Sequence, residues 1–237
     1  MDNLQAQILG LTDNHIQYFA QNPQQPEKTV GVHQQLIPAF EALVTQGEKA
    51  GIIIEIASGF RSFERQLSIW NNKFVGNTVI KNANGEPVVL DDLSSHDIIQ
   101  AILLFSALPG ASRHHWGCDI DIYAPNLLPK NQTLQLEPWE YEQTGSMAKL
   151  SDFLATEAQP LGFYFPYDSY RGGVAKEPWH LSYAPIANKY QQAFDISALK
   201  NHINMTDIKG KTDIINNLDK ITEQFIVNIN PSGVTHG

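Results

Sequence analysis

The chain has 237 residues, of which 42% are hydrophobic and 17% are charged, and its formal net charge is −9 at pH 7. This length suffices for one sizeable core or two small domains. The negative net charge argues against a basic surface for nucleic-acid binding and disfavours adhesion to anionic membranes. The single cysteine, Cys118, excludes an internal disulfide and a thiolate-rich zinc site, so a metal would have to be held by His, Asp or Glu.

The beginning of the sequence lacks the basic and apolar regions of a signal peptide, and no run of ~18 apolar residues occurs. The sequence as it stands therefore predicts a cytoplasmic protein without a membrane span. A chain trimmed of its signal would look the same, so a periplasmic or secreted location is the alternative. The sequence does not indicate an oligomeric state.

Hydrophobic spacing and turn residues predict the secondary structure. In chain order, we predict an amphipathic helix before a proline-bounded turn at 22–26, a helix at 32–47, a strand at 52–57, a helix at 63–73, a polar hairpin or loop at 76–92, a helix at 95–108, a strand at 118–123, a loop at 125–138, a helix at 147–159, strands at 162–166 and 179–183, and helices at 191–203 and 212–225.

The segment Ser112-Arg-His-His-Trp-Gly-Cys-Asp-Ile-Asp121 carries a histidine and an aspartate on either side of Gly117. If Gly117 turns the backbone, the strand that follows can return Asp121 beside His114. His115 is an alternative ligand, but His114 is favoured because His115 would point the opposite way in an extended backbone. Taken alone, the pair is also compatible with a hydrogen-bonded core histidine near a carboxylate.

The segment Glu177-Pro-Trp-His180 adds a second histidine and a second carboxylate. Three His or Asp ligands with an open position are typical of a catalytic zinc site, because the remaining position carries a water. Glu177 can then act as the general base on that water. Alone, this pattern more often describes an exposed glutamate beside a structural histidine, and the pairing with the first segment favours a metal site.

Ser58-Gly-Phe-Arg-Ser62 is the third element, in which Arg61 directly follows a predicted buried strand. In a zinc hydrolase, Arg61 would bind a substrate carboxylate through a two-pronged contact or stabilise the oxyanion formed on attack. The alternative is a surface arginine paired with Glu55 or Glu64.

These three segments, together with Gln66 and Tyr183, resemble the VanY-type D-alanyl-D-alanine carboxypeptidases. That family is related to the D-Ala-D-Ala dipeptidases and to lysostaphin-like and hedgehog-like zinc folds. The order and approximate spacing of the segments match over about residues 30–185. Two positions depart from the family pattern: Asp119 stands where a small residue is usual, and Leu181-Ser182 stands where an arginine often follows the second histidine.

The resemblance implies a zinc peptidase (cofactor Zn2+) that cleaves the D-Ala-D-Ala end of peptidoglycan stem peptides. It implies these roles: His114, Asp121 and His180 hold the metal, Glu177 is the base, Arg61 contacts the carbonyl or oxyanion, and Ser112 and Gln66 help to bind substrate. The substrate's terminal carboxylate would need a cationic anchor, for which Arg61, Arg65 and Arg171 are candidates.

We therefore predict an α+β fold with a central, mainly antiparallel sheet, the zinc site on one face and helices around it. The predicted segments are an N-terminal helical segment at 1–29, a zinc peptidase domain at 30–188 and a helical C-terminal extension at 189–237. The alternatives are a D,D-dipeptidase, a peptidoglycan endopeptidase, a non-catalytic zinc module that binds a partner, and a structural protein without metal. Exo- or endo-action would depend on how loops 74–94 and 125–145 close the cleft.

Overall fold

The computed structural model describes residues 2–22 and 25–232. The strands are β1 (Ile16–Ala20), β2 (Thr29–His33), β3 (Glu55–Ser58), β4 (Asp119–Tyr123), β5 (Phe163–Tyr164) and β6 (His180–Tyr183). The helices are α1 (Asn3–Ile8), α2 (Ile37–Lys49), α3 (Phe63–Phe74), α4 (Ser95–Leu103), α5 (Ala148–Glu157), α6 (Ala184–Ala193), α7 (Ile196–Met205), α8 (Lys211–Asn216) and α9 (Leu218–Ile221). None of the helices in the described ranges is long and apolar enough to cross a bilayer.

The central sheet has the strand order β3-β4-β6-β5, and every neighbouring pair is antiparallel. Side chains alternate between the two faces of a strand, so β4 directs Ile120 and Ile122 to one face and Asp119 and Asp121 to the other. The two isoleucines are completely buried in the core. The α+β class with a mainly antiparallel sheet is confirmed.

Helices α2 and α5 cover the apolar face of the sheet. Leu43 from α2 and Leu150 from α5 are fully buried in the same cluster as the strand residues Ile120 and Leu181. Burial of each such side chain contributes about 1.5–3 kcal/mol relative to leaving it exposed. The opposite face of the sheet is thereby left to carry polar groups.

A second cluster joins α3 and α4 to the C-terminal helices. Trp70 of α3 is fully buried there, and its indole Nε1 donates a hydrogen bond to the Lys209 carbonyl at 3.0 Å. Leu199 and Ile214 from the C-terminal helices pack in the same cluster. These contacts hold α3 in place. The division of the chain at about residues 29 and 188 stays a prediction.

The prediction for the N-terminal region is wrong after Ile8, because residues 16–20 form β1 and pair antiparallel with β2. Val32 belongs to β2 and not to the following helix, which begins at Ile37. Pairing with a neighbouring strand overrides a helical spacing of apolar residues. The predicted proline-bounded turn at 22–26 lies partly outside the described residues.

Other boundaries differ more modestly from the prediction. The helix predicted at 95–108 ends at Leu103. The helix predicted at 191–203 is divided between the end of α6, which begins at Ala184 with a proline in its first turn, and most of α7. The helix predicted at 212–225 is divided into α8, α9 and a π-helical turn, Thr222–Ile226. The polar stretch at 76–92 is a loop with a single antiparallel bridge between Lys81 and Pro87.

Candidate active site

Three side chains converge on the polar face of the sheet: His114, Asp121 and His180. Each is buried and offers one ligand atom, and these atoms lie within 4.8 Å of one another. His114 Nε2 is 3.4 Å from Asp121 Oδ2, and His180 Nδ1 is 3.1 Å from Asp121 Oδ1. The two segments that the sequence singled out therefore meet in one place.

Backbone geometry explains this convergence. Strand pairing places Asp121 of β4 opposite His180 of β6, so their side chains project from the same face. His114 lies in a 3-10 turn, Arg113–Trp116, which ends at Gly117 in the left-handed conformation with φ 68°. A Cβ at Gly117 would lie 2.3 Å from Ile16 Cδ1, so the turn requires glycine. The predicted turn at Gly117 is confirmed.

Hydrogen bonds orient both histidine rings. Carbonyl and carboxylate oxygens only accept, so His114 Nδ1–H donates to the Gly59 carbonyl at 3.0 Å, and His180 Nε2–H donates to Asp119 Oδ1 at 3.0 Å. These bonds leave His114 Nε2 and His180 Nδ1 as the ring nitrogens that face Asp121, so a metal would be bound through these two atoms. Such outer partners fix the tautomer of metal-binding histidines.

The cluster fits a divalent cation. Among the buried side-chain atoms of the described residues, Asp121 Oδ1 and His180 Nδ1 lack a hydrogen-bond partner, although they lie 3.1 Å apart. Two imidazole nitrogens and one carboxylate oxygen are ligands that suit zinc. Burial would raise the pKa of Asp121, but the nearby His114 and His180 lower it far below its usual value, so the carboxylate is charged. An anionic site with unpaired ligand atoms is what a cation requires.

His115 lies outside the cluster, completely buried beneath it. The Gly110 N–H donates to His115 Nε2 at 3.0 Å, and His115 Nδ1–H donates to the Arg61 carbonyl at 2.5 Å. Burial lowers the pKa of His115 to about 3, which keeps the ring neutral. The structure thus brings His114 rather than His115 into the cluster. The reason is a 3-10 turn and not the extended backbone on which the prediction relied.

Glu177 stands at the edge of the cluster and is only 9% exposed. Its Oε2 lies 3.4 Å from His180 Nδ1, and its backbone N–H donates to the Tyr167 carbonyl at 2.9 Å. The Tyr167 ring packs against the His180 ring at 5.0 Å between centroids. Tyr167 was missed from the sequence, because a single aromatic residue in a loop carries no recognisable pattern.

Arg61 faces the same cleft. Its two terminal nitrogens donate to Gln66 Oε1 at 2.8 Å and to Ser58 Oγ at 2.9 Å. Gln66 is fully buried, and its amide nitrogen donates to the Ala107 carbonyl at 2.7 Å, so this side chain holds Arg61. Ser112 is also buried and lines the cleft. Arg61 forms no ion pair with Glu55 or Glu64.

Asp119 has a role that the sequence did not reveal. Its Oδ1 accepts from Arg113 Nε at 2.7 Å as well as from His180. Arg113 also donates to Tyr164, Ser182 and Gln191, each at 2.8 Å, and its guanidinium lies 4.4 Å from the Trp116 ring centroid. Asp119 and Arg113 therefore form a buried ion pair beside His180, in which the guanidinium makes four hydrogen bonds. Asp119 had stood out only as a departure from the family pattern.

The cleft above the cluster has a volume of about 370 Å³. Lys81 and Glu137 form a salt bridge that joins the loop at 76–92 to the loop at 125–138 beside the cleft. Arg65 and Arg171 do not line it, and Arg171 is paired with Asp168. These two arginines are thus placed away from the position of a substrate anchor.

Two proteins of known sequence are similar to parts of this chain. An uncharacterized protein of Haemophilus influenzae is 41% identical over 122 residues, which cover 51% of this chain and 93% of that protein. Another uncharacterized protein of the same organism is 42% identical over 74 residues, which are 31% of this chain and 51% of that protein.

Two solved structures are similar to this chain. The first is a mutant of the vancomycin resistance D,D-pentapeptidase VanY in complex with Zn(II), at 24% identity and a TM-score of 0.46, covering 70% of this chain and 81% of that one. The second is the vancomycin resistance D,D-dipeptidase VanXYg with a D-Ala-D-Ala phosphinate analog, at 21% identity and a TM-score of 0.47, covering 82% and 67%.

The sequence profile of the family VanY, described as D-alanyl-D-alanine carboxypeptidase, matches residues 29–186. This range is well over half of the chain and contains Arg61 together with both histidine-bearing segments. The chain belongs to the VanY family of D-alanyl-D-alanine carboxypeptidases.

Proposed function

We propose that this protein is a zinc-dependent D,D-carboxypeptidase that hydrolyses the D-Ala-D-Ala bond at the end of peptidoglycan stem peptides. The observation that carries the proposal is the convergence of His114, Asp121 and His180 beside the carboxylate of Glu177, in one cleft. Family membership supports the type of bond that is cleaved. The donor set and its two unpaired buried atoms support the metal.

In this proposal, zinc is held by His114 Nε2, a carboxylate oxygen of Asp121 and His180 Nδ1. When bound, zinc supplies a Lewis acid that lowers the pKa of water toward ~7 and polarises a carbonyl. Asp119 keeps the proton of His180 on Nε2, so that Nδ1 presents its lone pair.

Glu177 transfers the proton in the reaction, and Arg61 stabilises the negative charge that develops. Glu177 accepts a proton from the attacking water as the water oxygen bonds to the scissile carbonyl carbon. The guanidinium of Arg61, held by Gln66 and Ser58, donates to the oxyanion that develops on that carbonyl. Glu177 then passes the proton to the leaving nitrogen as the C–N bond breaks. The products are a shortened peptide with a new carboxylate and free D-alanine.

A D,D-dipeptidase or an endopeptidase would use the same three metal ligands together with Glu177 and Arg61. These activities differ from the proposal only in which peptide bond is positioned at the metal site. A non-catalytic zinc module would need neither Glu177 nor Arg61. Both face the cleft here, and this favours catalysis over partner binding.

The test is hydrolysis of defined substrates by the purified protein, with zinc and with a chelator. Peptides ending in D-Ala-D-Ala and internally cross-linked muropeptides are incubated separately, and mass spectrometry identifies the products. We expect zinc-dependent release of one D-alanine from the first substrate. Absence of any hydrolysis with zinc bound would reject the proposed activity.

The Glu177→Gln variant tests the role of the general base, since it keeps the shape of the side chain and removes its basicity. We expect it to retain zinc and to lose at least about 10²–10⁴-fold in turnover, the usual contribution of a general base. Wild-type turnover in this variant would reject Glu177 as the base while leaving the metal ligands untouched.

A further inference from the structure

Lys73 is a cation in the cleft that the sequence did not single out. It lies in the last turn of α3, and its Nζ donates to Ser106 Oγ at 2.6 Å. It lines the same cleft as Arg61 and Glu177. Lys73 therefore faces the space in which a bound peptide would lie.

The other cleft lysine and the deeper arginine already have carboxylate partners. Lys81 forms its salt bridge with Glu137, and Arg113 forms one with Asp119. Lys73 forms no salt bridge with any carboxylate in the part of the chain that the structure describes. It is the lysine of this cleft whose charge lacks an acidic partner.

The surroundings of Lys73 disfavour an unpaired ammonium. Burial lowers its pKa, and the positive charge of Arg61 lowers it further, whereas Glu177 raises it. A half-buried charge without an acidic partner carries a desolvation cost that an anionic ligand would offset. Two other carboxylates of the cleft, Asp121 and Glu177, contact His180 instead.

Ser106 completes a two-donor arrangement. Its hydroxyl oxygen accepts from Lys73, so its own proton is free to donate to a ligand. An ammonium with three donors beside a serine hydroxyl suits the two oxygens of a single carboxylate. Arg61 is already assigned to the oxyanion in the proposed reaction, where Gln66 and Ser58 hold its guanidinium, so the terminal carboxylate needs a separate cation.

We propose that Lys73 and Ser106 form the subsite that binds the free C-terminal carboxylate of the peptide, and that this subsite restricts hydrolysis to the last bond. The inference rests on the proposed peptidase function and narrows it from any D,D-peptidase to a carboxypeptidase. An internal cross-link has no free carboxylate at this position and leaves the Lys73 charge unpaired.

The test compares two probes, diacetyl-L-Lys-D-Ala-D-Ala with a free carboxylate and the same peptide with a C-terminal amide. A hydrogen bond to a charged group contributes enough for a preference of about 10- to 100-fold in kcat/KM. We expect the wild-type protein to prefer the free carboxylate by this factor. Lys73→Met should lose the preference by slowing only the free-acid peptide, and Lys73→Arg should retain part of it.

Lys81→Met is the matched control, because it removes a lysine from the same cleft that already has a carboxylate partner. The preference ratio should be unchanged in this variant. Equal rates on both peptides in the wild-type protein, or an equal loss on both in Lys73→Met, would overturn the proposed subsite. Efficient cleavage of internal cross-links would overturn it as well.

If the wild-type protein with zinc cleaves neither peptide, the proposed function fails, and binding then tests the subsite separately. Calorimetric titration with D-Ala-D-Ala and its amide should show tighter binding of the free acid to the wild-type protein and to Lys81→Met. Lys73→Met should bind both probes alike. A free-acid preference that survives in Lys73→Met would reject the subsite.

Discussion

Replacing Asp119 with alanine should lower the free energy of unfolding of the metal-free protein by about 3–5 kcal/mol, the usual cost of breaking a buried ion pair. The reason is the guanidinium of Arg113, whose side chain is only 3% exposed and would be left without its counter-charge. Tyr164, Ser182 and Gln191 would still accept its hydrogen bonds, but none of them carries a negative charge.

The double variant Arg113→Leu with Asp119→Ala separates this cause from a simple loss of packing. Replacing both members of a buried pair with apolar side chains is often close to neutral. The remaining cost here is the loss of partners for Tyr164, Ser182 and His180, at about 1–3 kcal/mol for each one left unsatisfied. The two substitutions should therefore be strongly non-additive, so that the double variant loses less stability than the sum of the two single variants.

The assay is urea unfolding at pH 7 with a chelator present, so that metal binding does not contribute to stability. A further check is pH. Burial would raise the pKa of Asp119, but Arg113 and His180 lower it below its usual value. The pair therefore contributes fully above the unfolded-state pKa of about 3.9, and its contribution is lost as the pH falls through the lower folded-state pKa.

The reasoning would be refuted if Asp119→Ala lost less than about 1 kcal/mol, or if the double variant were as unstable as the sum of the single variants. Glu140→Gln is a suitable control. Glu140 is another buried carboxylate, but it caps a 3-10 turn, Pro138–Tyr141, and has no cationic partner in the described part of the chain.

Three other outcomes are expected. His180→Ala should lose bound zinc, as measured by elemental analysis, whereas His96→Ala, which changes an exposed histidine, should keep it. Equal zinc content in the two variants would contradict the assignment of His180 as a ligand. Gly117→Ala should lose more stability than the 1–2 kcal/mol or so that a left-handed backbone costs, because its Cβ would also clash with Ile16. Gly172→Ala is the control, since its backbone is also left-handed but its Cβ would meet nothing within 4 Å. Equal losses of the two variants in thermal unfolding would exclude the clash. Gln66→Ala should reduce kcat by about tenfold with zinc content unchanged, because Arg61 loses an acceptor, and an unaltered kcat would rule out this positioning role.

The sequence predicted those features of the site that depend on short-range geometry. Alternation along residues 118–123 predicted the strand that carries Asp121, and Gly117 predicted the turn before it. The residue types of His114, Asp121 and His180 indicated a group of possible metal ligands, and the structure brings these three side chains together. The apolar helices were recognisable for the same reason, since 3.6-residue spacing is a local property.

Features that depend on which segments pair, or on the exact type of a turn, were missed or predicted for the wrong reason. β1 pairs with β2, and this pairing overrides the spacing of apolar residues that predicted a helix over residues 4–19. His114 was chosen correctly over His115, but on the assumption of an extended backbone, whereas both residues lie in a 3-10 turn.

The amino-acid sequence by itself determined which ligands are available and which strand presents the aspartate, because alternation and turn chemistry act over a few residues. Only the tertiary structure decided what surrounds them. Arg113 reaches Gln191 and Lys73 reaches Ser106 across 78 and 33 positions of the chain. Such contacts form when sheet pairing and helix packing bring remote segments together, and no local pattern encodes them.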